Sequence, residues 1–307
     1  MTIVALTAGA LVAFAANSVL CRLALGAAII DPYAFTAVRL AAGAVTLLAL
    51  VAWTSRRLAH RSGRWSSASC LVLYAVPFSL AYVRLSAGTG ALLLFGAVQL
   101  TMIGVGLRGG ERPRALEWIG LLGAVAGVVY LVSPGISAPD PLGAVFMIVA
   151  GVAWGFYSIA GKSAGDPTEA TTGNFVKASL LVVPAAAIGY PWLALSSRGV
   201  LIAAISGSVA SGLGYVVWYA ALKHLTVTRG ALVQLAVPMI AAVGGIAFLH
   251  ESISLRLVIA SVVILGGIAI GIVRRRRALP VTRRGRREDA AAATTGGSGP
   301  DRGEPRP

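Results

Sequence analysis

The chain repeats itself at a spacing of 140 residues. Phe14, Ser18 and Arg22 fall opposite Trp154, Ser158 and Lys162, Ala81 and Leu85 fall opposite Ala221 and Leu225, and Gly90-Ala91-Leu92 matches Gly230-Ala231-Leu232. Glu111 meets Glu251, and Gly127 meets Gly267. In between, Asp31-Pro32 and Asp166-Pro167 align at an offset of 135, so about five residues are missing from one connection. Each copy holds five apolar stretches, an odd number. A unit that crosses a bilayer an odd number of times ends on the side opposite its start, so its second copy enters upside down. Such an inverted repeat points to transport.

The bilayer enters because the mean hydropathy of +0.82, with 57% apolar and 12% charged residues, is far from that of a soluble domain of 307 residues. Nearly uncharged windows predict helices at about 3–25, 33–53, 68–87, 88–107, 115–133, 141–160, 171–190, 199–222, 229–249 and 254–273. Twenty helical residues rise about 30 Å, the thickness of the hydrocarbon core. The expected fold is an all-α polytopic membrane protein, ten transmembrane helices as two inverted five-helix repeats. The repeats span 1–135 and 136–273, followed by a basic disordered tail at 274–307. Ala13-Phe14-Ala15 resembles a signal-peptide cleavage site, but no basic leader precedes it and its counterpart recurs in mid-chain, so this segment reads as a retained helix. Cys21 and Cys70 form no pattern, and neither a disulfide framework, a metal site nor a cofactor is expected.

Net charge of +15 does not indicate nucleic acid, because the cations are distributed by connection. Arg56, Arg57, Arg61 and Arg64 follow helix 2, Arg108, Arg112 and Arg114 follow helix 4, Lys162 follows helix 6, and Lys223 and Arg229 bracket the turn after helix 8. A further ten arginines follow helix 10, beginning with Arg274. The alternate connections hold Asp31, Asp140, His250 and Glu251, with Arg198 and Arg256 as cations. The positive-inside rule therefore puts both termini in the cytoplasm. Arginine outnumbers lysine 23 to 3 amid abundant Ala, Gly and Val, a composition of GC-rich coding that points to a bacterial plasma membrane. The tail lacks an apolar period, and its basic start fits an anionic lipid surface.

Four segments carry a family resemblance: Phe14-Ala15-Ala16-Asn17-Ser18, Trp154-Gly155-Phe156-Tyr157-Ser158, the Gly-Glu-Arg-Pro of 110–113 and the His-Glu-Ser-Ile of 250–253. Together the chain resembles EamA-type members of the drug/metabolite transporter superfamily over residues 3–273. In that family each five-helix unit carries an aromatic-Gly entry helix and a Gly-Glu-Arg turn. Departures are Ala15 in place of Gly, Gln99 in place of the proline that Pro238 supplies in the second copy, and Ser252 where Arg112 stands in the first. The resemblance implies a ten-helix carrier with a central cavity that moves amino acids, metabolites or related solutes, often outward.

All eleven carboxylates fall in connections, helix ends or the tail, which disfavours a proton relay through intramembrane Asp or Glu. Arg39 and Lys177 instead lie about six residues, roughly 9 Å, inside their spans. A central cation costs about 2.5–3.5 kcal/mol on the insertion scale, so each is either snorkelling or bonded between helices, or else lines a cavity mouth and attracts anions. Arg22 and Lys162 lie nearer the interfaces, where snorkelling or a helix-to-helix hydrogen bond is the simpler reading. Asn17, Ser18, Tyr82 and Gln99 in one copy, and Trp154, Tyr157, Ser158, Tyr215, Trp218, Tyr219 and Gln234 in the other, cluster at related places. As a set they are expected to line the substrate path, each competing with a reading as interhelical glue. Trp53, Trp118 and Trp192 read as interface anchors, the glycine pairs 123/127, 151/155 and 267/271 as helix-packing sites, and Pro77, Pro184 and Pro238 as kinks. The turns at Glu111 and Glu251 read as caps or loop stitches.

Soluble-enzyme signatures fail on context. The GxGxxG of 104–109 follows no strand, Phe156 stands where a phosphate loop needs glycine, and Ser254 stands where a zinc-protease motif needs its second histidine. A lipid-modifying membrane enzyme would need clustered acid–base groups, and the three histidines are scattered at 60, 224 and 250. A non-transporting membrane partner or sensor, docking through the arginine tail, is the other alternative. The expected partners are therefore the lipid bilayer and a small-molecule substrate, with oligomeric state open and no enzymatic activity.

Overall fold

The computed structural model describes residues 3–54, 62–108, 115–161, 166–188, 194–222, 224–225 and 233–275. The Gly-Glu-Arg-Pro turn with Glu111, Lys162, Trp192, the Gly230-Ala231-Leu232 match and the tail from 276 lie outside them. Among the described residues ten helices follow one another: α1 (Ile3–Gly26), α2 (Pro32–Thr54), α3 (Trp65–Arg84), α4 (Ala87–Arg108), α5 (Ala115–Val132), α6 (Pro141–Gly161), α7 (Pro167–Ile188), α8, α9 (Val237–Leu249) and α10 (Leu255–Arg275). Helix α8 runs from Ser197–Ile205 through a π-helical stretch, Ser206–Leu213, into Gly214–Leu222. Seven of the ten are long and apolar enough to cross a membrane, and three shorter apolar stretches lie at Trp118–Val132, Val237–Leu249 and Leu255–Ala269.

Local chemistry sets the starts. Asp31, Asp140 and Asp166 each precede a proline that opens a helix, and each carboxylate accepts an amide of the first turn, from Tyr33 (2.7 Å), Gly143 (2.7 Å) and Thr168 (2.8 Å). The side-chain acceptor satisfies an orphan N–H, and proline suits the first helical position because it needs no partner there. This is why α7 begins four residues earlier than the hydropathy window at 171. Pro77 and Pro184 do lie inside α3 and α7. Pro238 sits in the first turn of α9, where its missing N–H costs nothing, and the turn at Leu235 and Ala236 sets α9 off from the helical residues Val233 and Gln234. At the other end of α9, His250 adopts left-handed φ (54°) and stops the helix, so the chain turns back and Glu251 points into the bundle.

The principal helix contacts follow a rule. Helix α3 packs on α6 as α8 packs on α1; α4 packs on α6 as α9 packs on α1; α2 packs on α8 as α7 packs on α3. The pairs α2–α7 and α5–α10 map onto themselves. Exchanging each helix with the one five places on thus leaves these contacts unchanged. Small residues allow the close approaches. A Cβ on Gly267 would lie 2.5 Å from Gly120 O, one on Gly127 would lie 2.7 Å from Ile264, and one on Gly151 would lie 2.6 Å from Leu94 O. Those positions seat α10 on α5 and α6 on α4, as the four-residue glycine spacing predicts. Trp53 is exposed at the end of α2 and Trp118 at the start of α5, as suits anchors.

Candidate functional site

One end of the bundle holds a cavity of about 280 Å³, bounded by the α2–α3 connection, the end of α6, the start of α7 and α8. Its volume is near the lower bound of the roughly 300–1,000 Å³ typical of ligand pockets, the size of a small metabolite. Exposed Asp166 and Arg64 and half-buried Glu169 put charges of both signs on its rim, while Ser67, Thr171, Asn174, Tyr157 and Tyr219 make a polar lining. Asn174 is held from two sides: its Oδ1 accepts the Arg64 amide (3.0 Å) and its Nδ2 donates to the Tyr157 hydroxyl (3.5 Å). Lys177, one turn further along α7, donates to the carbonyls of Ser62 and Gly63 and so ties the α2–α3 connection to the helix. That tether accounts for its charge without a role in the cavity wall.

Beneath Tyr157 lies an aromatic layer. Trp154 stacks at a tilt on Tyr157 (5.4 Å between centroids), Tyr215 (5.0 Å) and Tyr74 (4.8 Å), and Phe14 presents edges to Tyr215 (5.8 Å) and Trp218 (5.7 Å). Each such pair is worth about 0.5–1.5 kcal/mol beyond burial. Four helices, α1, α3, α6 and α8, are pinned together here by rings that can slide on one another.

Below the rings is a buried polar network. Tyr74 Oη accepts from Arg39 Nη2 (3.0 Å) and from Asn17 Nδ2 (3.4 Å). Asn17 Oδ1 accepts from the Ser206 hydroxyl (2.6 Å), and Arg39 Nε donates to Ser211 Oγ (3.2 Å). Ser206 and Ser211 are five residues apart. In an α-helix they would point about 140° apart, but the i→i+5 bonding of a π-helix brings them to one face, and such segments cluster at functional sites. The arginine guanidinium also stacks over Tyr74 (5.4 Å) and Phe78 (4.9 Å). Helices α2 and α8 touch backbone to backbone at this level: a Cβ on Gly207 would lie 2.1 Å from Arg39 O.

The far end is closed. Asp31 donates its amide to Ala194 O (2.8 Å), Ile30 bridges Leu195, and the Ser196 hydroxyl donates to Ile29 O (2.6 Å), zipping the α1–α2 and α7–α8 connections together. Arg22 Nε pairs with Glu251 (3.2 Å) and its Nη1 donates to the carbonyls of Tyr82 and Val83. The Glu251 carboxylate also accepts the Ala87 amide (2.9 Å), capping α4. Arg22 is thus bonded between helices, one of the two readings its position near the interface allows, and Glu251 stitches distant segments as the sequence suggests.

A model of the EamA-like transporter family matches residues 141–273. The chain is 46% identical over 265 residues to the uncharacterized protein PA1977 of Pseudomonas aeruginosa, covering 86% of this chain and 92% of that one. It is 28% identical over 255 residues to an uncharacterized transporter of Archaeoglobus fulgidus (78% and 87% of the two chains) and 26% identical over 235 residues to the uncharacterized transporter YwfM of Bacillus subtilis (73% and 78%). A solved crystal structure overlays with a TM-score of 0.64 at 21% identity, over 89% of this chain and 99% of that one, and shares the fold. The chain belongs to the EamA-like transporter family. It is a multi-pass membrane protein, and the Archaeoglobus fulgidus and Bacillus subtilis relatives are named as transporters.

In this EamA-like chain, seven of the thirteen residues expected along the path fall into three groups. Tyr157 and Tyr219 line the cavity, Trp154, Tyr215 and Trp218 form the aromatic layer, and Asn17 and Arg39 belong to the polar network. Ser18 and Tyr82 are buried nearer the closed end, where Tyr82 Oη donates to Ala87 O (3.4 Å). Gln99 is buried in α4, and Ser158 and Gln234 are half-buried away from the cavity wall. Sequence reasoning passes over Tyr74, Asn174, Ser206 and Ser211. The repeat offsets carry the signal for two of them: 135 residues separate Arg39 from Asn174, and Tyr74 lies one position from the counterpart of Tyr215.

Proposed function

We propose that this protein is a secondary transporter that moves a small organic solute by alternating access between two inverted five-helix repeats, residues 1–135 and 136–273. One observation carries the reading. A polar cavity lies at one end of the bundle over an aromatic floor, while the opposite end is zipped shut by the Ile30–Leu195 bridge and the Arg22–Glu251 pair. The exchange of helix contacts by five places supports the inverted repeat, since a two-fold related pair of units gives such a pattern. The positive-inside rule assigns the cavity end to the cytoplasm, so the described state faces inward in a bacterial plasma membrane, with both termini cytoplasmic. That state loads a solute for efflux. Hydroxyls and amides of Tyr157, Tyr219 and Asn174 meet its polar groups, and the rings beneath receive its apolar part.

Counterflow in proteoliposomes tests the reading. Purified protein preloaded with unlabelled amino acids and related metabolites should accumulate the labelled solute, and silence across a broad panel would overturn it. Cysteines placed at Ser62 and Arg198 should label from opposite sides of the membrane; labelling from one side removes the inverted repeat.

A further inference from the structure

Arg39 is 1% exposed, and its partners do not match its charge. Its two hydrogen bonds go to neutral hydroxyl oxygens, Ser211 Oγ and Tyr74 Oη. Nη1 is buried with no hydrogen-bond partner among the described residues, and no carboxylate among them lies within 4.0 Å of the guanidinium. A guanidinium carries five donors and keeps its proton. Burying one without a counter-charge is strongly unfavourable, so such a group persists where something else supplies the anion. Arg22, on the neighbouring helix α1, shows what a bonded arginine looks like in this fold: a carboxylate and two carbonyls surround it.

The repeat says when Arg39 is reached. Its counterpart at the 135-residue offset, Asn174, lines the cavity at the open end. In an inverted-repeat carrier the two access states interchange the arrangements of the two units. When the cavity moves to the end bearing Asp31 and Glu251, Arg39 takes the wall position that Asn174 holds here, and Nη1 becomes its free donor. We infer that Arg39 receives the carboxylate of a small organic acid or amino-acid substrate in that state. The inference rests on the transporter reading and narrows its substrate class. A guanidinium–carboxylate contact is short and charge-assisted, and the Ser211 and Tyr74 hydroxyls hold the planar group in place for it.

The test uses matched pairs in proteoliposome counterflow, carboxylic acids against their primary amides. Wild-type protein should favour the acid by about 10-fold or more, and Arg39→Gln should raise the KM for the acid by about 10- to 100-fold and bring the acid-to-amide ratio close to one. Arg39→Lys should fall between, because it keeps the charge but not the fork. A wild-type protein that carries acid and amide equally, or Arg39→Gln with an unchanged KM for the acid, overturns the inference while leaving transport intact. Exchange of no member of any pair removes the transport reading itself. Should Arg39→Gln elute aggregated, Ser211→Ala and Tyr74→Phe keep the charge and loosen its orientation; they should lower the acid-to-amide ratio several-fold, and an unaltered ratio counts against the site. Replacing chloride with a bulky sulfonate should leave the acid preference in place. Chloride-dependent amide transport that Arg39→Gln abolishes would assign the site to an inorganic anion instead.

Discussion

Arg39 in α2 and Asn174 in α7 are counterparts across the repeat, yet one is sealed behind an aromatic layer and the other lines a cavity. The crossing around Arg39 is made of backbone on backbone. Gly207 leaves no room for a Cβ beside Arg39 O, and one turn further along Gly43 and Gly212 continue the close approach of the two helices. The crossing around Asn174 sets α7 against the α2–α3 connection, where a Cβ on Gly173 would lie 1.8 Å from Ser62 O, and the Asn174 side chain adds bonds to the Arg64 amide and the Tyr157 hydroxyl. Equivalent positions therefore pack against different partners: α2 lies against helix α8 at Arg39, whereas α7 lies against a connection at Asn174, where side-chain hydrogen bonds add to the close approach. Under the alternating access proposed above both contacts must break in turn, and their strengths can be measured separately.

The largest effect is expected where shape does the holding. Gly207→Val should lower stability by about 3 kcal/mol or more, read as a fall in the thermal midpoint in detergent, because the clash is with backbone that cannot rotate away. Gly104, where an added Cβ would meet nothing within 4 Å, is the control, and Gly104→Ala should stay within about 1 kcal/mol of wild type. Equal behaviour of the two variants would mean that the closed crossing is not packed as described.

Next comes the latch at the closed end. Glu251→Gln removes the charge that Arg22 faces and weakens the cap on Ala87, contacts that are mostly buried, with 26% and 15% of the Arg22 and Glu251 side chains exposed. A loss of about 1–3 kcal/mol is expected. It should be accompanied by faster labelling of a cysteine at position 196, since the Ile29–Ser196 zipper lies at the same end as the latch. An unchanged labelling rate would separate the latch from the gate.

Much of this architecture is legible in the sequence. The helix spans and the glycine seams follow from hydropathy and four-residue spacing, because burial in lipid leaves a continuous apolar signal, and several aromatic and polar residues singled out in the sequence meet in the aromatic layer and the buried network. What stays hidden is set by three-dimensional register. Nothing in Ser206-Gly207-Ser208-Val209-Ala210-Ser211 announces a π-helical stretch, so the alignment of two serines on Asn17 and Arg39 emerges only from the fold. Lys177 and Arg39 look alike as intramembrane cations, and only the nearness of the Ser62 and Gly63 carbonyls tells a tether from an unmatched charge. Pro238 reads as a kink inside one apolar window, and only the fold shows that the interruption falls at Leu235 and Ala236 and leaves the proline in the first turn of α9.

On the open side the effects shrink. Asn174→Ala removes the acceptor for the Arg64 amide and a donor to Tyr157, and a loss of about 1 kcal/mol is expected. Its effect on transport should exceed its effect on folding, read as a raised KM at the cavity end. Equal proportional losses in both would demote Asn174 from cavity wall to loop fastener.

The smallest change should come from Arg84→Gln, and the reason sharpens the contrast with Glu251. Arg84 and Asp140 also make an ion pair, at 3.3 Å and at the same end of the bundle, but 46% and 34% of their side chains are exposed. Water and salt screen the attraction, and ordering two exposed side chains offsets part of what is left, so less than about 1 kcal/mol is at stake. Asp140 does not lose its main partner either, since it still accepts the Gly143 amide at 2.7 Å and caps α6. The thermal midpoint and the labelling rate at position 196 should both stay at wild-type values. A shift comparable to that of Glu251→Gln would mean that the closed end is held by its total charge pattern, and that the buried geometry of the Arg22–Glu251 latch has no special part in keeping it shut.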